Sequence, residues 1–180
     1  QYRLDGWNKR TVKIVNGVGD TFYIFNGDQL IGEVGPDGSV KAIYNWGADG
    51  LFSQRVGSDV RYFHYGPQGE VRQVTDGTGN VVGQLRYNAY GALLALSGSV
   101  SNSVRFGGKY GYYTDLDSNL VRCGVRWYSP ELTRWISRDP SGYRGSPNLY
   151  SYCRQNPLRW NDMDGNQERP ANYDEGQDAV

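Results

Sequence analysis

Sulfur and histidine are scarce in this chain. Among 180 residues there are two cysteines, Cys123 and Cys153, one methionine, and His64 alone. Two cysteines and one histidine cannot complete the four-ligand set of a common structural zinc site. The cysteines either form one disulfide or stay as buried thiols; the second is expected, because free cysteine packs as a small hydrophobe. The redox compartment stays open on this count. No apolar run reaches the ~20 residues of a membrane-spanning helix, and the opening Gln1-Tyr2-Arg3-Leu4-Asp5 is too polar for a secretory leader. The chain begins without methionine and in mid-pattern, which reads as a piece of a longer protein. Formal net charge is zero, so there is no whole-molecule attraction for nucleic acid or anionic membrane. P-loop, Gly-x-Gly-x-x-Gly and Gly-x-Ser-x-Gly motifs are missing, as are metal-ligand spacings and an Asn-x-Ser/Thr acceptor. No cofactor and no metal are expected. His64 lies in the aromatic run Arg61-Tyr62-Phe63-His64-Tyr65 and reads as structural.

What the chain does have is glycine and tyrosine, 25 and 15 residues respectively. Glycine supplies positive φ for tight turns, and aromatic rings pack well on pleated surfaces. Short alternating runs, Thr11 to Val15 and Thr21 to Phe25, are separated by turn clusters. These include Asn26-Gly27-Asp28, Gly35-Pro36-Asp37-Gly38, Gly66-Pro67-Gln68-Gly69, Asp76-Gly77-Thr78-Gly79 and Asn88-Ala89-Tyr90-Gly91. The pattern predicts an irregular repeat of strand and turn over residues 1–95. A polar, serine-rich linker and strand follow over 96–107 and a compact segment over 108–165. Two Ser-Pro starts predict short helices near 130–134 and 146–156. Residues 166–180 carry four acids, Glu168, Asp174, Glu175 and Asp178, against Arg169, with no apolar period. They read as a disordered acidic tail.

Two acidic turns close the compact segment, Asp139-Pro140-Ser141-Gly142 and Asp162-Met163-Asp164-Gly165. Two carboxylates held together cannot both ionise easily, so one keeps its proton. The ionised one can then draw a proton from water while the protonated one assists at an amide. Arg138, just before the first aspartate, would favour the ionised form of one of them. The bland reading is equally plain: Asp-Pro-x-Gly is an ordinary turn. A second constellation is the aromatic series Trp127, Tyr128, Trp135, Tyr143, Tyr150, Tyr152 and Trp160, interleaved with arginines. It fits a packed plug with arginine stems on rings, or a face for sugars or single-stranded nucleic acid; the plug is expected, and no nucleic-acid partner.

Several words in the later block carry a family resemblance. They are Gly111-Tyr112-Tyr113-Thr114-Asp115, Arg126-Trp127-Tyr128-Ser129-Pro130-Glu131, Arg134-Trp135-Ile136-Ser137-Arg138-Asp139-Pro140 and Asn148-Leu149-Tyr150-Ser151-Tyr152. Upstream, Tyr65 with Gly69 and Val71, and Tyr87 with Gly91 and Leu93, repeat a Tyr-x-x-x-Gly-x-Val/Leu pattern. Together they resemble the Rhs (YD-repeat) proteins and their repeat-associated core, the C-terminal end of polymorphic-toxin and Tc-toxin C shells. The resemblance implies a mainly β fold: a YD-repeat array curling as part of a β-shell, then a core segment with short helices. It implies a secreted or cell-surface parent whose partner is its own C-terminal toxin cargo, with secretion machinery or a cell-surface partner besides. It also implies an intramolecular aspartyl autoprotease, cutting just after the second motif, with Asp139 and Asp162 as the matched aspartates. Met163 stands where that motif has proline, and Asn166 where leucine is frequent. Two alternatives remain beside it: an inert structural or cell-surface module whose aspartates only make turns, and a carbohydrate-binding aromatic β-domain.

Overall fold

The structure, a computed structural model, describes residues 2–4, 10–15, 18–27, 29–100, 102–144 and 146–170. Ten antiparallel strands follow one another in sequence order across a single sheet. They are β1 (Tyr2–Leu4), β2 (Arg10–Val15), β3 (Val18–Asn26), β4 (Gln29–Val34), β5 (Val40–Gly47), β6 (Gly50–Val56), β7 (Asp59–Tyr65), β8 (Val71–Thr75), β9 (Val81–Tyr87) and β10 (Leu93–Gly98). The mainly β expectation holds.

One turn design joins four of these hairpins. In it the first residue donates its N–H to the carbonyl of the fifth and accepts from the N–H of the fourth. Gly66 bonds Glu70 O (2.8 Å) and Gly69 (3.0 Å); Asp76 bonds Asn80 O (2.9 Å) and Gly79 (3.1 Å); Asn88 bonds Ala92 O and Gly91, both at 3.0 Å; Gly35 and Ser39 repeat it. The fourth residue is always glycine, with φ between 70° and 89° at Gly69, Gly38, Gly91 and Gly79. This is the three-residue hairpin loop with a left-handed position, which an L side chain enters only with strain. Asp76 and Asn88 lock their turns with a side-chain oxygen on the N–H two residues ahead.

The sheet buries one face. Tyr23, Leu30, Ala42, Tyr44, Leu51, Phe63, Val71, Val74 and Leu85 form a core with Val100, Val104 and Tyr113, from the segment that crosses back over the sheet after β10. The hydroxyls of Tyr23 and Tyr113 meet at 2.9 Å, and Lys13 reaches buried Asp115 at 3.1 Å. A second cluster, Phe106, Tyr112, Val121, Cys123, Tyr128, Trp135, Tyr152 and Cys153, fills the compact segment. Around it lie a four-stranded sheet, β11 (Tyr113–Thr114), β12 (Val121–Cys123), β13 (Arg126–Ser129) and β14 (Arg134–Trp135), and the pair β15 (Trp160–Asn161) and β16 (Arg169–Pro170). Both cysteines are free and buried.

The two expected helices are turns instead. Ser129 Oγ accepts from Leu132 N–H at 3.2 Å, as a helix cap would. Thr133 then turns left-handed (φ 55°) and sends the chain into β14. Residues 149–151 are drawn against β14 and the stretch just beyond it: Trp135 N–H donates to Tyr150 O and Asp139 N–H to Leu149 O, each at 3.0 Å. Those cross-chain bonds replace the internal ones a helix needs, leaving one 3-10 turn at Cys153–Gln155. No described helix is long and apolar enough to cross a membrane. The expected tail is described only to Pro170, and its last two described residues, Arg169 and Pro170, pair as β16; residues 171–180 lie outside the described residues.

Candidate functional site: an arginine shared by two aspartates

Arg126 opens β13 at a position whose side chain points inward, as Tyr128 does two residues on. Its guanidinium lies over the Trp135 ring, 4.0 Å from the centroid. Buried there at 3% side-chain exposure, it needs partners for its nitrogens, and both acidic turns supply them. Nη2 donates to Asp162 Oδ2 at 2.8 Å, and Nη1 stands 2.9 Å from Asp139 Oδ2. Nε donates to the Gly165 carbonyl. One cation thus gathers both carboxylates and the backbone of the second motif.

The carboxylates are not equivalent. Asp162 is fully buried, while Asp139 is 19% exposed. Burial pushes the Asp162 carboxyl up to about 7, with Arg126 opposing and Asp164 and Glu168 adding to the rise. A carboxyl near 7 can hold or release a proton under physiological conditions, as a general acid must. Its Oδ1 accepts from Gln167 N–H at 3.1 Å, and its carbonyl accepts from the Tyr112 hydroxyl at 2.6 Å. Asp139 serves two ends at once. Oδ1 accepts from Ser141 N–H (2.8 Å) in a turn closed by Gly142 N–H on Asp139 O (3.1 Å), and Oδ2 faces Arg126. The turn reading and the paired reading of this residue therefore coexist in one side chain.

The loop carrying Asp162 is held close. Asp164 O accepts from Val125 N–H at 3.0 Å, so Gly124 lies directly against it; a Cβ on Gly124 would stand 1.9 Å from that oxygen. Asp164 Oδ1 accepts from the N–H groups of Asn166 (2.9 Å) and Gln167 (3.0 Å). Beside the site opens a cavity of about 530 Å³, lined in part by Asp139, Ser141, Asn166, Gln167 and Glu168. The chain just after Gly165 thus borders this cavity.

Asp139 and Asp162 are brought together, and Arg138 is not with them: it is exposed and donates to the Tyr150 hydroxyl at 3.3 Å. The guanidinium at the pair is Arg126, which sequence reasoning placed only among the arginines of the aromatic series. The signal for it was an arginine in register with the inward side chains of a short strand. Three of the seven residues of the aromatic series are buried and three more, Trp127, Tyr150 and Trp160, are half-buried. Trp135 and Tyr128 are fully buried and Tyr152 stacks on Tyr128 at 3.9 Å, while Tyr143 alone stands well out at 76% exposure. The guanidinium groups of Arg134 and Arg154, rather than their stems, lie over the Tyr150 and Trp160 rings. His64 pairs with Thr75 Oγ1 across neighbouring strands. No cluster of three metal-binding side chains occurs among the described residues.

No protein-family model matches the chain. Among characterised proteins it is 30% identical over 174 residues to the tRNA nuclease WapA of Bacillus subtilis, across 91% of this chain and 7% of that one. It is 30% identical over 164 residues to toxin subunit YenC1 of Yersinia entomophaga, across 90% of this chain and 16% of the other. Among solved structures, the Tc holotoxin pore of Photorhabdus luminescens with a mutated TccC3 matches at a TM-score of 0.70 and 22% identity, across 97% of this chain and 9% of that one. The chain therefore spans under a fifth of the length of either relative. Over that stretch it is a relative of the Rhs-type toxin components and shares the mainly β fold of the Tc toxin structure.

Proposed function

We propose that this chain is the closing segment of a secreted toxin shell and that it cuts its own backbone to free the portion C-terminal to the cut. The observation that carries the reading is the contact between Asp162 and the chain it would cut: Gln167 N–H lies 3.1 Å from Asp162 Oδ1. That nitrogen is the leaving group of the Asn166–Gln167 bond. Water entering from the cavity adds to the Asn166 carbonyl carbon and gives its proton to Asp139. In the tetrahedral adduct the Gln167 nitrogen becomes pyramidal and basic. Asp162 Oδ1, which accepts from its N–H in the resting fold, then turns donor and passes the Asp162 proton to that nitrogen as the C–N bond breaks. Arg126 fixes both carboxylates and, through Gly165 O, the backbone one residue before the bond. The products are a chain ending at Asn166 and one beginning with the amino group of Gln167. By the same reading, the partner is the C-terminal cargo of a longer toxin chain within a toxin assembly, and the parent acts outside the cell that makes it.

The test is the intact mass of the protein followed over time. Wild type should part between Asn166 and Gln167. Asp139→Asn, Asp162→Asn and Arg126→Ala should each slow the cut by ~10² or more. Asp164→Asn should matter less, because an amide oxygen still accepts from Asn166 and Gln167. Met163→Pro should speed the cut by narrowing the backbone freedom before Asp164. An uncut wild type leaves the inert-shell reading, which the turn bonds on Asp139 Oδ1 favour. Normal cutting in both aspartate variants would move the chemistry elsewhere.

A further inference from the structure

Three consecutive residues without glycine, Cys153 (φ 48°), Arg154 (φ 51°) and Gln155 (φ 60°), are left-handed. L-residues visit this region singly, because Cβ crowds the following carbonyl, and a run of three needs surroundings that enforce it. Here the chain is pinned on both sides: Gln155 N–H bonds Tyr152 O (2.9 Å), Asn156 N–H bonds Cys153 O (2.7 Å), and Gln155 O accepts from the Tyr90 hydroxyl (2.8 Å). The result aims two donors of Arg154 at one carboxylate. Its N–H lies 3.0 Å from Glu168 Oε1 and its Nε 3.0 Å from Glu168 Oε2. The guanidinium rests on the Trp160 ring at 4.0 Å. Trp160 and Asn161 pair in turn with Pro170 and Arg169, the residues just past Glu168.

We infer that this left-handed turn is a carboxylate clamp that positions the segment to be cut, with Glu168 as the residue it reads. The inference rests on the proposed cut, since Glu168 is the second residue past the Asn166–Gln167 bond. A strained turn that commits a backbone N–H and a planar side chain to the same carboxylate fixes both the height and the rotation of the chain there. Gln167, one residue back, is thereby held on Asp162. Arg154 is a positioning residue: it touches neither the reacting bond nor the aspartates. The clamp sets a requirement for an acidic side chain at position 168 and leaves the identity of whatever lies beyond Pro170 free.

Two readouts on the full chain separate clamp from chemistry: the rate of cutting by intact mass, and hydrogen exchange of the Gln167 amide in an Asp139→Asn background that does not cut. Arg154→Glu and Glu168→Arg should each expose the Gln167 amide and slow cutting at least tenfold. The double exchange of charges should restore most of both. Arg154→Gly keeps the left-handed turn at ease yet removes the guanidinium, so it should fold normally and still cut slowly. Unchanged exchange in the single variants, no rescue by the swap, or wild-type cutting in Arg154→Gly would each overturn the clamp. An uncut wild type whose Gln167 amide still responds to the charge changes would sink the proposed cleavage and leave the clamp standing.

Discussion

Arg126 meets its partners through three different nitrogens, and a lysine in its place would offer one point charge to all of them. With a single positive charge between two carboxylates, the site is nearest neutrality when one proton is retained, and buried Asp162 is where it stays. That retained proton makes stability depend on pH. An aspartate unfolds to an ordinary value of ~3.9, while in the fold Asp162 sits at about 7. The folded state therefore binds the extra proton between these values. The stabilisation is complete below the unfolded value and is lost as pH rises through the folded one, at ~1.4 kcal/mol for each tenfold difference in proton affinity. Denaturation in urea at pH 5 and pH 8 should show this loss in the wild type and a flatter response in Asp162→Asn; equal slopes would mean that Asp162 is not the group concerned. Cutting should decline over the same upper range, because Asp162 then lacks the proton to give.

At the scale of elements, the compact segment depends on a few large rings. Trp135 sits on the two-residue strand β14, is fully buried, touches Tyr128 and Tyr152 edge-on, and carries Arg126 on its face. Trp135→Ala should cost ~3–5 kcal/mol, the usual loss for a core aromatic, in a chemical denaturation series. It should also slow cutting in material that remains folded, because Arg126 loses its platform. An unchanged midpoint would place the ring outside the core. The hairpin array was legible in the residues themselves: a glycine at the fourth turn position, with Asp or Asn at the first in two of the four turns, states its conformation locally. The expected helices at 130–134 and 146–156 were not legible, because local capping at Ser129 competes with long-range pairing that no local pattern announces. Met163 in place of proline gives no local sign that Asp162 is fixed; Gln167 and Arg126 fix it. Arg126 was equally hidden, since its partners come from residues 139, 162 and 165, far along the chain. Arg138, adjacent to Asp139 in sequence, is exposed and bonds the Tyr150 hydroxyl instead.

Over the whole molecule, the sheet is open at its last strand. β10 bonds to β9 alone within the sheet, and its six residues are exposed, Leu93, Leu94 and Leu96 among them. An apolar, unpaired edge recruits other strands. In isolation the chain should self-associate with rising concentration, and Leu94→Lys should reduce that association in sedimentation or light scattering while the fold is kept. Association that ignores the substitution would point to another surface, such as the exposed Phe22, Ile24 and Phe52 on the sheet.

The segment that crosses back over the sheet imposes an order of events. The ten strands pair with their immediate neighbours and can form as the chain emerges, since such contacts are local. Their apolar face has no cover until Val100, Val104 and Tyr113 arrive. Arg126 comes next, but it stays without its full set of partners until residues 139, 162 and 165 are made, and Asp162 meets the nitrogen at Gln167 only after that. A ribosome adding about 5–20 residues per second therefore delivers Asp139, Asp162 and Gln167 in one late instalment. The proposed cut would thus carry its own timer: its bond would meet Asp162 only once the sheet is already roofed.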